Sequence, residues 1–210
     1  MPARRRFIAS GAALAVAPWL PRLAQAGAQQ YEPLAEAVRN ALAAAIADDR
    51  PPLRQFRDHA ERMAQVDWLD AMSARLAKRK PDQTVRLDFL RTLDYEAVRA
   101  GLDRQLVLAL VQVESGFRKY AVSSAGARGY MQVMPFWTKV IGDGDPRKLF
   151  DMRANLRYGA VILRHYLDIE RGNLFLALGR YNGSRGRAEY PDLVLGALKS
   201  RWEYAPPARA

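Results

Sequence analysis

Apolar residues recur at three- and four-residue spacings along most of this chain, the period of helices that pack one face on a core. An alanine-rich stretch from Tyr31 carries Leu34, Val38, Leu42 and Ile46 in such a series and stops at Arg50-Pro51-Pro52. The next stretch, 53–80, holds Phe56, Ala60 and Met63 in one series and Trp68, Leu69, Met72 and Leu76 in another, which predicts two helices. It closes on Lys78-Arg79-Lys80 before Pro81, a basic run that suits a helix C-terminus and a segment boundary. Helices are predicted over 85–101 and 103–116, hinged at Gly101, with Asp103 as N-cap of the second. The run 117–134 is rich in Ser, Gly and small residues and reads as an ordered loop. A short helix opened by Pro135, a loop over 142–151, a long helix over 153–172, a helix broken at Asn182-Gly183 and a last helix over 191–204 complete the pattern. With no extended alternating run and no internal repeat, the fold class is mainly α.

The N-terminus follows a different rule. Met1 to Arg6 are basic, Phe7 to Leu20 apolar, and Ala24-Gln25-Ala26 is a small-residue A-x-A site, the three parts of an export leader. The apolar part is shorter than a bilayer span and carries Gly11 and Pro18, so no stable membrane anchor is expected. Arg4-Arg5-Arg6-Phe7-Ile8 is similar to a twin-arginine signal, although Ala3 stands where serine or threonine is usual. The organisation expected is a signal peptide over 1–26 with cleavage after Ala26, a small helical segment over 27–81, and the main domain over 82–210. The destination expected is the periplasm.

Composition narrows the chemistry. A formal charge of +11 suits an acidic partner, and loss of the leader removes four arginines yet leaves the chain basic. The absence of cysteine excludes disulfides, thiol nucleophiles, thiolate metal sites and cysteine lipidation. His59 and His165 lie far apart in no metal-binding spacing, and Asp143-Gly144-Asp145 lacks the distal glutamate of a calcium loop, so no metal and no cofactor is expected. Basic residues are dispersed rather than interleaved with aromatics, which argues against nucleic acid. There is no G-x-S-x-G elbow and no phosphate-binding glycine loop.

One carboxylate stands out. Leu102, Leu106, Ala109, Leu110, Val113 and Phe117 form a core face, and Glu114 falls at its margin, beside Val107 and Val111 and just before Gly116. A glutamate at a helix edge is ordinarily solvated. At a helix C-terminus among apolar neighbours, however, both the dipole and desolvation favour the protonated acid.

The surrounding text, "ALVQVESGFRKYAVSSAGARGYMQVMP", resembles the soluble lytic transglycosylase domain, a family related to goose-type lysozymes. Its Glu-Ser-x-Phe motif is similar to Glu114-Ser115-Gly116-Phe117, and its Gly-Leu-Met-Gln motif to Gly129-Tyr130-Met131-Gln132 with tyrosine for leucine. Its Ala-Tyr-Asn-Ala-Gly motif is matched by Arg180-Tyr181-Asn182-Gly183-Ser184, in which only Tyr-Asn is kept. The resemblance runs from about Arg86 to Trp202 with the motifs in order.

It implies a lysozyme-like fold and, as substrate and partner, the glycan strands of peptidoglycan, cut at the β-1,4 bond between N-acetylmuramic acid and N-acetylglucosamine. Glu114 would be the catalytic acid and base, touched and oriented by Tyr181; Ser123, Gln132 and Met134 would line the sugar cleft, with Tyr130 and Asn182 beside it. Ordinary glycosidases add a second carboxylate, and the motif regions offer none; Asp143, Asp145 and Asp151 are the nearest by sequence. Attack by the muramic sugar's own C6 hydroxyl, which leaves a 1,6-anhydro end, removes that need. A hydrolase of the same bond, and a non-catalytic wall-binding or adaptor module working through 27–80, remain open alternatives.

Overall fold

The computed structural model describes residues 29–48 and 53–206. They form α1 (Glu36–Ala47), α2 (His59–Leu76), α3 (Gln83–Arg99), α4 (Arg104–Ser115), α5 (Phe136–Ile141), α6 (Met152–Ile169), α7 (Leu174–Asn182) and α8 (Glu189–Ala197). A 3-10 turn over Pro146–Phe150 leads into α6, and a π-type turn over Leu198–Trp202 follows α8. The mainly α expectation holds: among the described residues, β-type pairing is confined to the isolated bridges Val122–Arg128 and Arg128–Val133. The expected leader lies outside the described residues.

Short polar side chains set the helix starts. Asp58, Asp82, Asp103, Asp151 and Asn173 each accept a hydrogen bond from an amide two or three residues ahead, at 2.8–3.1 Å. Each such cap is worth about 1 kcal/mol. Gly116 (φ 58°) and Gly183 (φ 80°) end α4 and α7 in the left-handed conformation that glycine adopts without a Cβ clash.

Several predicted boundaries differ, among them the start of the first helix, at Glu36 rather than Tyr31. Residues expected as two helices form the single helix α2, because no Gly or Pro interrupts it and Gln65 continues the stripe of Trp68, Met72 and Leu76. Gln65 is polar yet buried, with its amide donating to Asp94 at 2.9 Å. The last helix starts at Glu189 rather than Pro191, as Pro191 needs no amide partner in a first turn.

The core is built around α4. Leu106 to Val111 are buried on every side of the helix, as expected only for an element enclosed by others. α3 covers one side, and α8 with the π-type turn covers another; α6 packs on α3 and α7, and α1 lies on α5 and α6. Trp68, Met72 and Leu76 of α2 enter the same core as Phe89, Leu90 and Leu93 of α3. The turn at Pro81 therefore joins two helices in contact. Buried acids in this body are paired with cations: Asp94 accepts from Arg54 and Arg104, each at 2.8 Å, and Glu96 accepts from Arg157 at 3.0 Å. Among the described residues, no helix is long and apolar enough to cross a membrane.

Candidate active site

Glu114 departs from that rule. It occupies the last turn of α4 and is 5% exposed, and no arginine, lysine or histidine is recorded beside it among the described residues. The Tyr190 hydroxyl donates a hydrogen bond to Glu114 Oε1, while Oε2 is buried with no partner. Burial pushes the carboxyl from its ordinary 4.5 up to about 8, with the Tyr190 hydrogen bond pulling the other way. A carboxylic acid so placed keeps its proton near neutral pH.

The loop after α4 is fixed to this acid by local chemistry. Gly116 and then Phe117 (φ 68°) turn the chain sharply, and Ser115 Oγ donates to the Tyr130 carbonyl at 2.7 Å. Phe117, expected in the core, is buried there despite its left-handed backbone. Gly129 is required: a Cβ there would meet Asn155 Nδ2 at 2.3 Å and the Leu149 carbonyl at 2.4 Å. Asn155 then accepts from the Met131 amide at 2.8 Å and donates to the Arg128 and Leu149 carbonyls, each at 2.8 Å.

Each residue singled out from sequence has a definite place. Tyr181 is fully buried, but its hydroxyl donates to the Met131 carbonyl at 2.8 Å. Its influence on Glu114 is through proximity: burial first, then the charge of Glu114, raise the phenol well above its usual pKa. Direct contact with the acid belongs to Tyr190, whose phenol is also raised by burial and by Glu114. The sequence reading therefore assigned that contact to the wrong tyrosine. Tyr190 lies 76 residues from Glu114 and, with Val194 and Ala197, reads as one more core position of the last helix.

Gln132 stands in the left-handed region (φ 48°), and its amide donates to the Ala121 and Gly129 carbonyls at 3.1 and 3.0 Å. Met134 is half-buried at the end of this segment. Ser123 is half-buried too, and its hydroxyl accepts from the Ala127 amide at 3.1 Å, closing the small loop. Asn182 is buried, donates to Ser184 Oγ at 3.1 Å and leaves Oδ1 without a partner. Tyr130 is turned away to other work: its ring packs on Phe89 at 4.8 Å, and its hydroxyl accepts from Lys80 Nζ at 2.8 Å. Its 2% exposure and that lysine engage the group expected beside the cleft.

No second acid is delivered to Glu114 by the loop that follows. Asp143 pairs with Lys148, Asp145 with Arg147 at 3.0 Å, and Asp151 caps α6.

Residues 92–191 match the family model described as the transglycosylase SLT domain. The chain is 33% identical over 104 residues to a transglycosylase of Enterobacteria phage PRD1, covering 50% of this chain and 38% of that protein. It is 33% identical over 114 residues to the membrane-bound lytic murein transglycosylase C of Haemophilus influenzae (strain PittEE), covering 47% of this chain and 32% of that one. The chain thus spans only about a third of the length of these relatives. Among solved structures, an inactive mutant of the lytic transglycosylase Slt from Pseudomonas aeruginosa aligns with TM-score 0.43 and 24% identity, over 65% of this chain and 26% of that chain.

Proposed function

We propose that this chain is a peptidoglycan lytic transglycosylase in which Glu114 serves alone as acid and then base. The observation that carries this reading is the uncompensated burial of Glu114. Asp94 and Glu96 are buried and neutralised by arginines, whereas Glu114 meets a phenol and holds its proton to about pH 8. Such a group costs stability and is retained where a neutral carboxylic acid is useful. The chain's relatives, a transglycosylase and a lytic murein transglycosylase, supply the reaction class.

The chemistry follows from the two oxygens. Tyr190 donates to Oε1, so the proton of the neutral acid sits on Oε2, which no protein group occupies. That proton passes to the glycosidic oxygen as its bond to C1 of the muramic sugar breaks. The C6 hydroxyl of the same sugar then bonds to C1, and its proton returns to the Glu114 carboxylate. The products are a new N-acetylglucosamine 4-hydroxyl and a 1,6-anhydromuramyl end, and the acid is restored. Because the attacking hydroxyl belongs to the substrate, no second carboxylate has to position water.

Tyr190 stabilises the carboxylate form in the second half of the cycle through a charge-assisted hydrogen bond. Tyr181 acts one step removed by fixing the Met131 carbonyl, and with it Gln132 and Met134 along the cleft. On this reading residues 1–26 export the chain to the periplasm, 27–81 form a helical lead-in, and 82–210 carry the chemistry. The acidic stem peptides of the wall suit the basic chain. Release of dye from labelled sacculi tests the reading: full-length protein should release it and Glu114→Gln should not. Equal release by both would remove Glu114 from the reaction.

A further inference from the structure

Glu114 is buried, and a segment ahead of α1 touches Met134, one of the residues read as lining its sugar cleft. Residues 29–34 carry no regular secondary structure ahead of α1, and among the described residues no backbone hydrogen bond ties them to the body. They are held by side chains alone. Gln29, 3% exposed, places Oε1 where it accepts from the Trp137 indole at 3.0 Å and from the Met134 amide at 3.5 Å. Its Nε2 is buried beside the Tyr181 hydroxyl, near enough to act on that phenol but without a well-formed hydrogen bond. Tyr31 sets its ring edge-on to Phe136 at 5.7 Å, and Glu32 accepts from Arg180 at 2.6 Å. The segment therefore bridges α5 and α7, the helices on either side of Met131 to Met134.

We propose that residues 29–32 are an autoinhibitory strap that occupies the sugar cleft as a substrate mimic, the Gln29 carboxamide standing where an N-acetyl group of the glycan is received. The inference rests on the reading of this cleft as a glycan site. An acetamido group presents one carbonyl acceptor and one N–H donor, and a glutamine side chain presents the same pair. The Trp137 indole and Met134 amide are donors fixed by buried elements, and a buried donor left without an acceptor is costly. They need an occupant. Gln29 meets the indole well at 3.0 Å but the Met134 amide only at 3.5 Å, and its Nε2 leans on Tyr181 without a well-formed hydrogen bond. The grip is thus good enough to close the cleft and poor enough to be displaced. Glu32 is half exposed, so its pair with Arg180 is a weak, salt-screened anchor of the kind a strap that opens requires. A glycan that enters must first lift these residues, and its apparent affinity is reduced by the fraction of open molecules.

The test uses the full chain and the tetrasaccharide of β-1,4-linked N-acetylglucosamine, titrated by calorimetry, so that binding is read without turnover. Gln29→Ala should bind it about tenfold more tightly than the unsubstituted chain. Glu32→Lys, which keeps the amide but sets a cation against Arg180, should fall between them. Unchanged or weaker binding in Gln29→Ala, or no binding by any of the three proteins, overturns the strap. Release of dye from sacculi is measured in parallel. If no protein cleaves sacculi yet Gln29→Ala binds the sugar more tightly, the strap stands and the catalytic reading fails. If sacculi are cleaved but the affinities are equal, the strap alone fails.

Discussion

The Glu114→Gln substitution keeps the shape of the side chain and removes its titration, so it measures what burying the acid costs the fold. With the folded value near 8 against 4.5 in the unfolded chain, the native state binds the extra proton between those limits. Below 4.5 both states are protonated and nothing is lost. As pH rises through the window, wild-type stability from this group falls by about 1.4 kcal/mol per pH unit, reaching a loss of about 4–5 kcal/mol above it. Glutamine escapes that loss but sets an N–H donor where Oε2 has no partner, a penalty of about 1–3 kcal/mol at every pH. The variant should therefore be less stable than wild type near pH ~4 and more stable near pH ~8.5. The constant penalty cancels between the two conditions, leaving a shift of about 4 kcal/mol in the stability difference. Urea unfolding of both proteins at each pH, with equal m-values, reads it directly. A stability difference that does not change with pH would mean that Glu114 titrates as an ordinary carboxylate, and the proposed acid would lose its physical basis.

Tyr190→Phe should lower kcat about tenfold or more with KM nearly unchanged, since the bond to the carboxylate is worth about 1.5–3 kcal/mol. Because that bond lowers the Glu114 pKa, its loss should also move the alkaline limb of the rate profile to higher pH; a fixed limb would deny the contact. Tyr130→Leu, which removes the Lys80 contact, should change sacculus cleavage by no more than about twofold and cost about 1–2 kcal/mol in denaturant unfolding. A collapse of activity with stability intact would return Tyr130 to the cleft. Gly159→Ala should destabilise by about 1–3 kcal/mol despite alanine's better helix propensity, because the new Cβ would meet Met131 Sδ at 2.3 Å. A gain in melting temperature would show that Met131 yields freely. Cleavage of sacculi should weaken as salt is added, and a flat response would remove the role given to the basic charge.

Helices were legible because their polar caps and apolar stripes are local, and Asp103 and Gly116 bounded α4 where the sequence placed them. The continuity of α2 was less legible, because Gln65 joins the core stripe through Asp94, a partner 29 residues away that spacing along the helix does not reveal. Glu114 was legible as a carboxylate on an apolar helix margin. Its partner was not: Tyr190 occupies an ordinary core position of α8, and only the packing of α8 on α4 turns its hydroxyl to the acid. Gln29 offered even less, for a lone glutamine outside any helix has no periodicity to betray it, yet the fold returns it to Trp137 across 108 residues. Tyr130 is a motif position whose substituted side chain is taken up by Lys80, a partner 50 residues away that the motif does not reveal.

Mass spectrometry of the ends left on purified sacculi, digested with the protein and with Glu114→Gln in parallel, bears most directly on the proposed reaction. Muramyl ends in the 1,6-anhydro form, absent from the Glu114→Gln digest, are expected. Reducing muramyl ends, heavier by one water, would make the chain a hydrolase and contradict the internal attack by the C6 hydroxyl.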